Sequence, residues 1–139
     1  MLAADVMTED PLWVEAQTTT GEAVRKLLEA GVRHLPVLEA GVVVGMLSDR
    51  DLRSGTSSLL RGDDWQPGLS NYLSEPVESL MSRPVESVTP DSDLEDAVNI
   101  MLREHVGAVP VVDPESNRLV GIISYLDVLR AMSDLLWDR

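Results

Sequence analysis

Ser48-Asp49-Arg50-Asp51 and Ser124-Tyr125-Leu126-Asp127 place a hydroxyl three positions ahead of a carboxylate, twice in one chain. An Asp carboxylate offers two acceptor oxygens and can take two neighbouring hydroxyls together. A serine just ahead of a helix caps it, and the open N–H groups of that helix start can meet phosphate oxygens. The same residues also have a purely structural use: Ser48 and Ser124 as N-caps, with Asp51 and Asp127 as first-turn acids favoured by the helix dipole. Arg33, His34 and Arg50 add donors near the first pair, whereas their counterparts at the second are Gly107, Ala108 and Leu126. A phosphorylated ligand would therefore find its donors in the first copy, and the two sites are expected to be unequal. The alternative is that Arg33 and Arg50 pair with nearby acids.

Such acids are plentiful, because the formal net charge is −13. A surface of that sign repels a phosphate backbone and disfavours general nucleic-acid binding. Of the eleven basic residues only Lys26 is a lysine, and arginine suits forked contacts to phosphate or carboxylate. The absence of cysteine removes disulfides, thiol catalysis and thiolate metal sites. His34 and His105 fall at different places in the repeat, so no metal is expected. No nucleophile elbow, Walker or dinucleotide-binding glycine pattern occurs. Asp63-Asp64 reads as solvated loop, with weak Mg²⁺ contact as its alternative. Met1 to Thr8 lacks a basic residue and carries Asp5, unlike a signal peptide. No apolar run approaches membrane-spanning length, and a cytoplasmic protein is expected.

The elements that must hold these residues are written twice. Asp5-Val6-Met7-Thr8 matches Ser79-Leu80-Met81-Ser82, and Leu35-Pro36-Val37 matches Val109-Pro110-Val111, at an offset of 74. Gly45-Met46-Leu47-Ser48 matches Gly121-Ile122-Ile123-Ser124 at an offset of 76. The change places a short insertion in the turn at Pro114 to Asn117. Each copy opens with an extended segment, Leu12 to Glu15 or Val85 to Val88. A helix follows, for which Thr19 with Glu22 and Ser92 with Glu95 have capping-box spacing. Ala23, Val24, Leu27 and Leu28 share one helical face, as do Ala97, Val98, Met101 and Leu102. Two apolar strands come next, Leu35 to Leu38 with Val42 to Leu47, then Ala108 to Val112 with Leu119 to Ile123. A second helix starts near Ser48 or Ser124. The order β-α-β-β-α, twice, predicts an α/β (α+β) fold with copies at 1–54 and 79–139. Residues 55–78 form a linker that packs in part through Leu59, Leu60, Trp65, Leu69, Tyr72 and Leu73, with a helix expected near Leu69 to Leu73. Half a chain this short buries little core alone. Packing of the two copies about a pseudo-two-fold axis would solve that and leave two related clefts, where small ligands commonly bind. Leu129, Met132, Leu135, Leu136 and Trp137 give the last helix an apolar stripe, suited to a dimer contact or to packing within the chain.

Over nearly the whole chain these motifs resemble a pair of cystathionine-β-synthase-type (CBS) domains, a Bateman module of the stand-alone bacterial kind. The resemblance rests on Asp5-Val6-Met7-Thr8, on Arg33-His34-Leu35-Pro36-Val37 with Gly45-Met46-Leu47-Ser48-Asp49-Arg50-Asp51, and on the second-copy counterparts. It implies a module without catalysis of its own and with no obligatory cofactor. It implies an adenosine-containing regulatory ligand such as AMP, ADP or ATP in the clefts, a homodimer, and a separate regulated protein. In nucleotide-binding members the carboxylate of this pattern takes the ribose hydroxyls, a role that falls on Asp51 and Asp127, with Ser48 and Ser124 beside the phosphate. Arg33, His34 and Arg50 supply donors. Val14, Leu35 and Pro36 in the first copy, and Val88, Val109 and Pro110 in the second, stand where an adenine slot would be lined, with Trp13, Met46 and Ile122 close by. Most such strand residues are otherwise plain core.

Two functions stay open at this point. One is a sensor whose ligand shifts dimer geometry for a partner to read. The other is a structural or protein-interaction module with degenerate, ligand-free clefts. An enzyme would need an acid–base constellation that the sequence does not contain.

Overall fold

A computed structural model describes residues 1–57, 65–83 and 85–137, and of residues 57 and 65–67 the backbone only. Leu59, Leu60, Asp63, Asp64, Pro84 and the Trp65 side chain lie outside the described residues. In chain order the elements are α1 (Ala3–Val6), β1 (Thr8–Glu9), β2 (Val14–Glu15), α2 (Thr20–Ala30), β3 (His34–Glu39), β4 (Val42–Ser48), α3 (Asp49–Ser57) and α4 (Trp65–Ser74). A 3₁₀ turn at Val77–Ser79 precedes α5 (Leu94–Glu104), β5 (Ala108–Val112), β6 (Leu119–Ser124) and α6 (Tyr125–Leu136). The fold is mixed α/β with two three-stranded sheets, β2-β3-β4 and β1-β6-β5. No helix among the described residues is long and apolar enough to cross a membrane.

The chain divides into two compact units, Leu12–Val85 and Met1–Pro11 with Glu86–Arg139. In the Leu12–Val85 unit, β2 runs parallel to β3, and β3 pairs antiparallel with β4. The run Leu35 to Leu38 is buried throughout, as expected of a strand covered on both faces. Its hairpin turns through Ala40 and Gly41, both at positive φ, the conformation a two-residue primed turn requires. Helix α2 presents Thr20, Ala23 and Leu27 to the core and stops at Gly31 in the left-handed region. Thr19 caps it by accepting the Glu22 N–H at 3.3 Å, but no reciprocal capping box forms. The Glu22 carboxylate turns instead to Arg25, one helical turn on. Helix α4 packs into the same core through Leu69, Tyr72 and Leu73, and the buried Tyr72 hydroxyl donates to the Leu52 carbonyl at 2.9 Å.

The other unit repeats this plan with other residues. Val88 forms a single parallel bridge to Val111 rather than a strand, and β5 pairs antiparallel with β6. The ladder slips once between Val111 and Val112, as β3 does between Val37 and Leu38. Pro110 sits in mid-strand, yet its carbonyl stays in the ladder, accepting the Val88 N–H at 3.1 Å. The turn after β5 is held by Asp113, whose carboxylate accepts the Glu115 and Ser116 N–H groups at 2.9 Å each. Those bonds hold its pKa below the ordinary carboxylate value. The N-cap of α5 is Asp93, not Ser92. The Ser92 hydroxyl is taken by the preceding turn, where it accepts the Thr89 N–H at 3.0 Å. Helix α5 ends at His105 in the left-handed region, the place Gly31 holds in α2.

Each sheet is joined by the opening motif of the other sequence copy, as a third strand on β6 and as a single bridge on β4. Thr8 and Glu9 pair with Ile122 and Gly121 of β6. Ser82 bridges Met46 of β4, with N–H···O bonds of 2.9 and 3.1 Å in the two directions. Backbone bonds repeat the exchange: Ala3 N donates to Ser92 O at 2.7 Å, and Val77 N to Thr18 O at 2.8 Å. Leu94 N donates to Met1 O at 2.9 Å, and Thr20 N to Glu75 O at 2.8 Å. Sequence copies and compact units therefore divide the chain at different points. One glycine on β4 and one on β6 make room for the exchanged methionines. A Cβ on Gly45 would stand 2.2 Å from the Met81 sulfur, and one on Gly121 would stand 2.6 Å from that of Met7.

Candidate ligand site

In the Leu12–Val85 unit the polar candidates gather where β4 passes into α3. His34 is registered opposite Ser48, and Asp49 N donates to the Arg33 carbonyl at 3.0 Å. Ser48 and Asp51 close on each other. The Asp51 N–H donates to Ser48 Oγ at 3.1 Å, while Asp51 Oδ2 accepts from the Ser48 N–H at 2.9 Å and from Ser48 Oγ at 3.0 Å. This is a reciprocal capping box with Asp in the acidic position, a cap of about 1 kcal/mol. The other oxygen, Oδ1, accepts the Ser82 hydroxyl at 3.0 Å. Sequence reasoning missed Ser82, although its place beside Thr8 in the aligned openings was a usable signal.

The Ser124–Asp127 pair has the same geometry. Asp127 Oδ2 accepts from the Ser124 N–H at 2.9 Å and Oγ at 3.1 Å, and the Asp127 N–H donates to Ser124 Oγ at 3.3 Å. Thr8 Oγ1 donates to Asp127 Oδ1 at 3.4 Å, and Arg130 Nη1 stands 3.5 Å from the same oxygen. A cavity of about 240 Å³ opens here, lined by Met1, Asp5, Val6, Asp127, Arg130, Ala131, Asp134 and Leu135. That is smaller than the roughly 300–1,000 Å³ of typical ligand pockets.

The apolar candidates lie elsewhere. Val14, Leu35 and Pro36 are fully buried, as are Val109 and Pro110, and Val88 nearly so. Val14 and Leu35 belong to the core of one unit, Val88 and Val109 to the core of the other. Trp13, in contrast, is exposed. Among the basic candidates, Arg33 and Arg50 are exposed, and Arg50 makes no ion pair among the described residues.

Burial lowers the His34 pKa below its ordinary 6.5, and the neighbouring Asp49 and Asp51 charges raise it by less. At neutral pH His34 therefore offers an N–H rather than a charge. The unfolded chain binds the proton first as pH falls, so stability rises with pH between the folded and unfolded pKa values. The contribution is complete above the unfolded value and is lost as pH drops from about 6.5 through the folded value. His34→Ala, the residue found at the corresponding Ala108, should flatten the pH dependence of thermal melts in that window. Parallel slopes for both proteins would contradict this account.

The chemistry available is thus a capped helix start, a carboxylate held rigid by its cap, and a hydroxyl from the other copy beside it. The profile of the CBS domain family matches residues 3–56 and 77–134. The CBS domain-containing protein YhcV of Bacillus subtilis is 35% identical over 124 residues, which span 89% of this chain and 80% of that protein. Protein MJ0188 of Methanocaldococcus jannaschii is 33% identical over 130 residues, 92% of this chain but only 43% of that protein. The crystal structure of CBSX2 in complex with AMP superposes with a TM-score of 0.76 at 29% identity, covering 96% of this chain and 97% of that one.

Proposed function

The chain belongs to the CBS-domain family, and we propose that it is a non-catalytic sensor that binds an adenosine-containing ligand, AMP, ADP, ATP or similar. The observation that carries this reading is the pair of matched Ser–Asp caps, each with an exchanged hydroxyl on the second carboxylate oxygen. Asp51 takes a ribose hydroxyl and Ser48 stands at the start of α3 beside the phosphate. Arg33 and Arg50 bring the countercharge that Gly107 and Leu126 do not supply at the second pair, and His34 adds a neutral donor. Val14, Leu35 and Pro36, like Val88, Val109 and Pro110, hold the strands that carry these groups. Ser124 and Asp127 form the second, weaker site. CBSX2, 29% identical, was crystallised with AMP, which supports the ligand class. The protein works in the cytoplasm as a homodimer through the exposed stripe Leu129, Met132, Leu135, Leu136 and Trp137 on and just after α6, and a separate protein reads its state.

A thermal-shift series with AMP, ADP, ATP, NAD and S-adenosylmethionine tests the reading. A ligand at a hundred times its dissociation constant adds about 2.7 kcal/mol, a clear rise in melting temperature. No shift with any of the five would favour the structural or protein-interaction module. That alternative draws on the same geometry, because both carboxylates are already bonded by the chain's own donors.

A further inference from the structure

A carboxylate has about four lone-pair directions, and the two aspartates fill them differently. Around Asp51 three donors converge: the Ser48 N–H and hydroxyl on Oδ2, and the Ser82 hydroxyl on Oδ1. No ion pair reaches it among the described residues. Around Asp127 the three equivalent donors are joined by the Arg130 guanidinium, 3.5 Å from Oδ1. The first-copy counterpart of Arg130, at the offset of 76, is the uncharged Ser54. Asp127 is 9% exposed on its side chain and Arg130 is 74% exposed. The arginine thus lies over the outer face of a nearly buried carboxylate.

We propose that Arg130 makes the two sites unequal: its guanidinium stands against the oxygen of Asp127 whose counterpart on Asp51 is open to a ligand hydroxyl. This rests on the reading of Asp51 and Asp127 as acceptors for a ligand with vicinal hydroxyls. As an ion pair made by an exposed arginine at 3.5 Å, the contact is of little consequence for stability. Its effect is on occupancy, because an uncharged hydroxyl must displace a cation to reach Oδ1. Arg130 acts through Asp127 and is a specificity-determining residue of that site. The small cavity beside it, bordered by Asp5 and Asp134 as well, adds carboxylates that disfavour a phosphate there.

Calorimetric titration of AMP into the full chain tests this with Arg130→Ser, Ser54→Arg and Asp51→Asn. The expected wild-type result is one site, weakened roughly ten- to a hundredfold in Asp51→Asn. Arg130→Ser should gain a second site or strengthen a weak one about tenfold, and Ser54→Arg should weaken the first by a similar factor. If wild type binds through Asp51 but Arg130→Ser changes neither stoichiometry nor affinity, the inference fails and the ligand reading stands. If Arg130→Ser weakens AMP binding, Arg130 is a ligand donor and the inference is overturned. If wild type binds nothing and Arg130→Ser binds, the ligand reading fails for the natural chain while the inference holds. Binding by neither protein overturns both.

Discussion

Removing residues 1–11 should cost the unit built on residues 86–137 its cooperative structure. This short segment supplies the fully buried Ala3 and the partly buried Val6 and Met7 to that core. It also supplies the third strand of the sheet, where Thr8 and Glu9 pair with Ile122 and Gly121. Ala3 N and Ala4 N donate to Ser92 O at 2.7 Å and Pro90 O at 3.0 Å, and Met1 O accepts from Leu94 N at 2.9 Å. Deletion opens the edge of β6, uncovers Val109 and Ile123, and leaves the start of α5 without its outer partners. Several such losses together exceed the 4–5 kcal/mol that marks the extreme of single substitutions. A small domain has only about 5–15 kcal/mol in all. Hydrogen exchange reads the outcome: amides of β5 and β6 should exchange far faster in the truncated chain than in the full one. Unchanged protection there would mean that the exchanged segment is an ornament.

Gly45→Val should strongly destabilise the Leu12–Val85 unit. A Cβ at this position meets three atoms of the Met81 side chain, at 2.2, 2.7 and 3.0 Å. Met81 is buried among Val14, Val37 and Leu47, and its neighbour Ser82 is fastened to Met46 by two backbone bonds. The methionine has little room to withdraw without lifting the exchanged segment, which carries the Ser82 hydroxyl away from Asp51. Overpacking of this kind costs about 1–3 kcal/mol, and the loosened edge puts the expected value near the top of that range. Met81→Ala alone opens a cavity at a cost of roughly 2–5 kcal/mol. The double variant should recover part of both losses, a coupling of about 1 kcal/mol or more measurable by urea denaturation. Strictly additive losses would show that glycine and methionine do not share one space.

Much of the fold was legible because its signals are local. The buried run at Leu35 to Leu38, the break before the strand from Val42, and the α2 face through Ala23 and Leu27 each announce themselves within a few residues. The Ser48–Asp51 and Ser124–Asp127 boxes were legible for the same reason, since a cap is a contact three positions along. The exchange of opening motifs was not. Thr8 and Glu9 form an exposed strand of two residues, too short for any period, and their partners lie more than a hundred positions away. Ser92 and Glu22 show the limit of spacing alone. Both had capping geometry in sequence, yet a turn took the hydroxyl of one and Arg25 took the carboxylate of the other. Arg130 lies only three positions past Asp127 and was as legible as the caps, but its first-copy counterpart Ser54 carries no charge, so the repeat did not single it out.

The most direct test of the sensor reading is a calorimetric titration of AMP into the Asp51→Asn protein beside the natural one. Asparagine keeps the shape and can still cap α3, but its amide replaces a charged acceptor by a donor. Bonds to a charged group are worth about 1.5–3 kcal/mol each, so affinity should fall by roughly ten- to a hundredfold with little change in melting temperature. Equal affinity in the two proteins would place the ligand elsewhere and contradict the account.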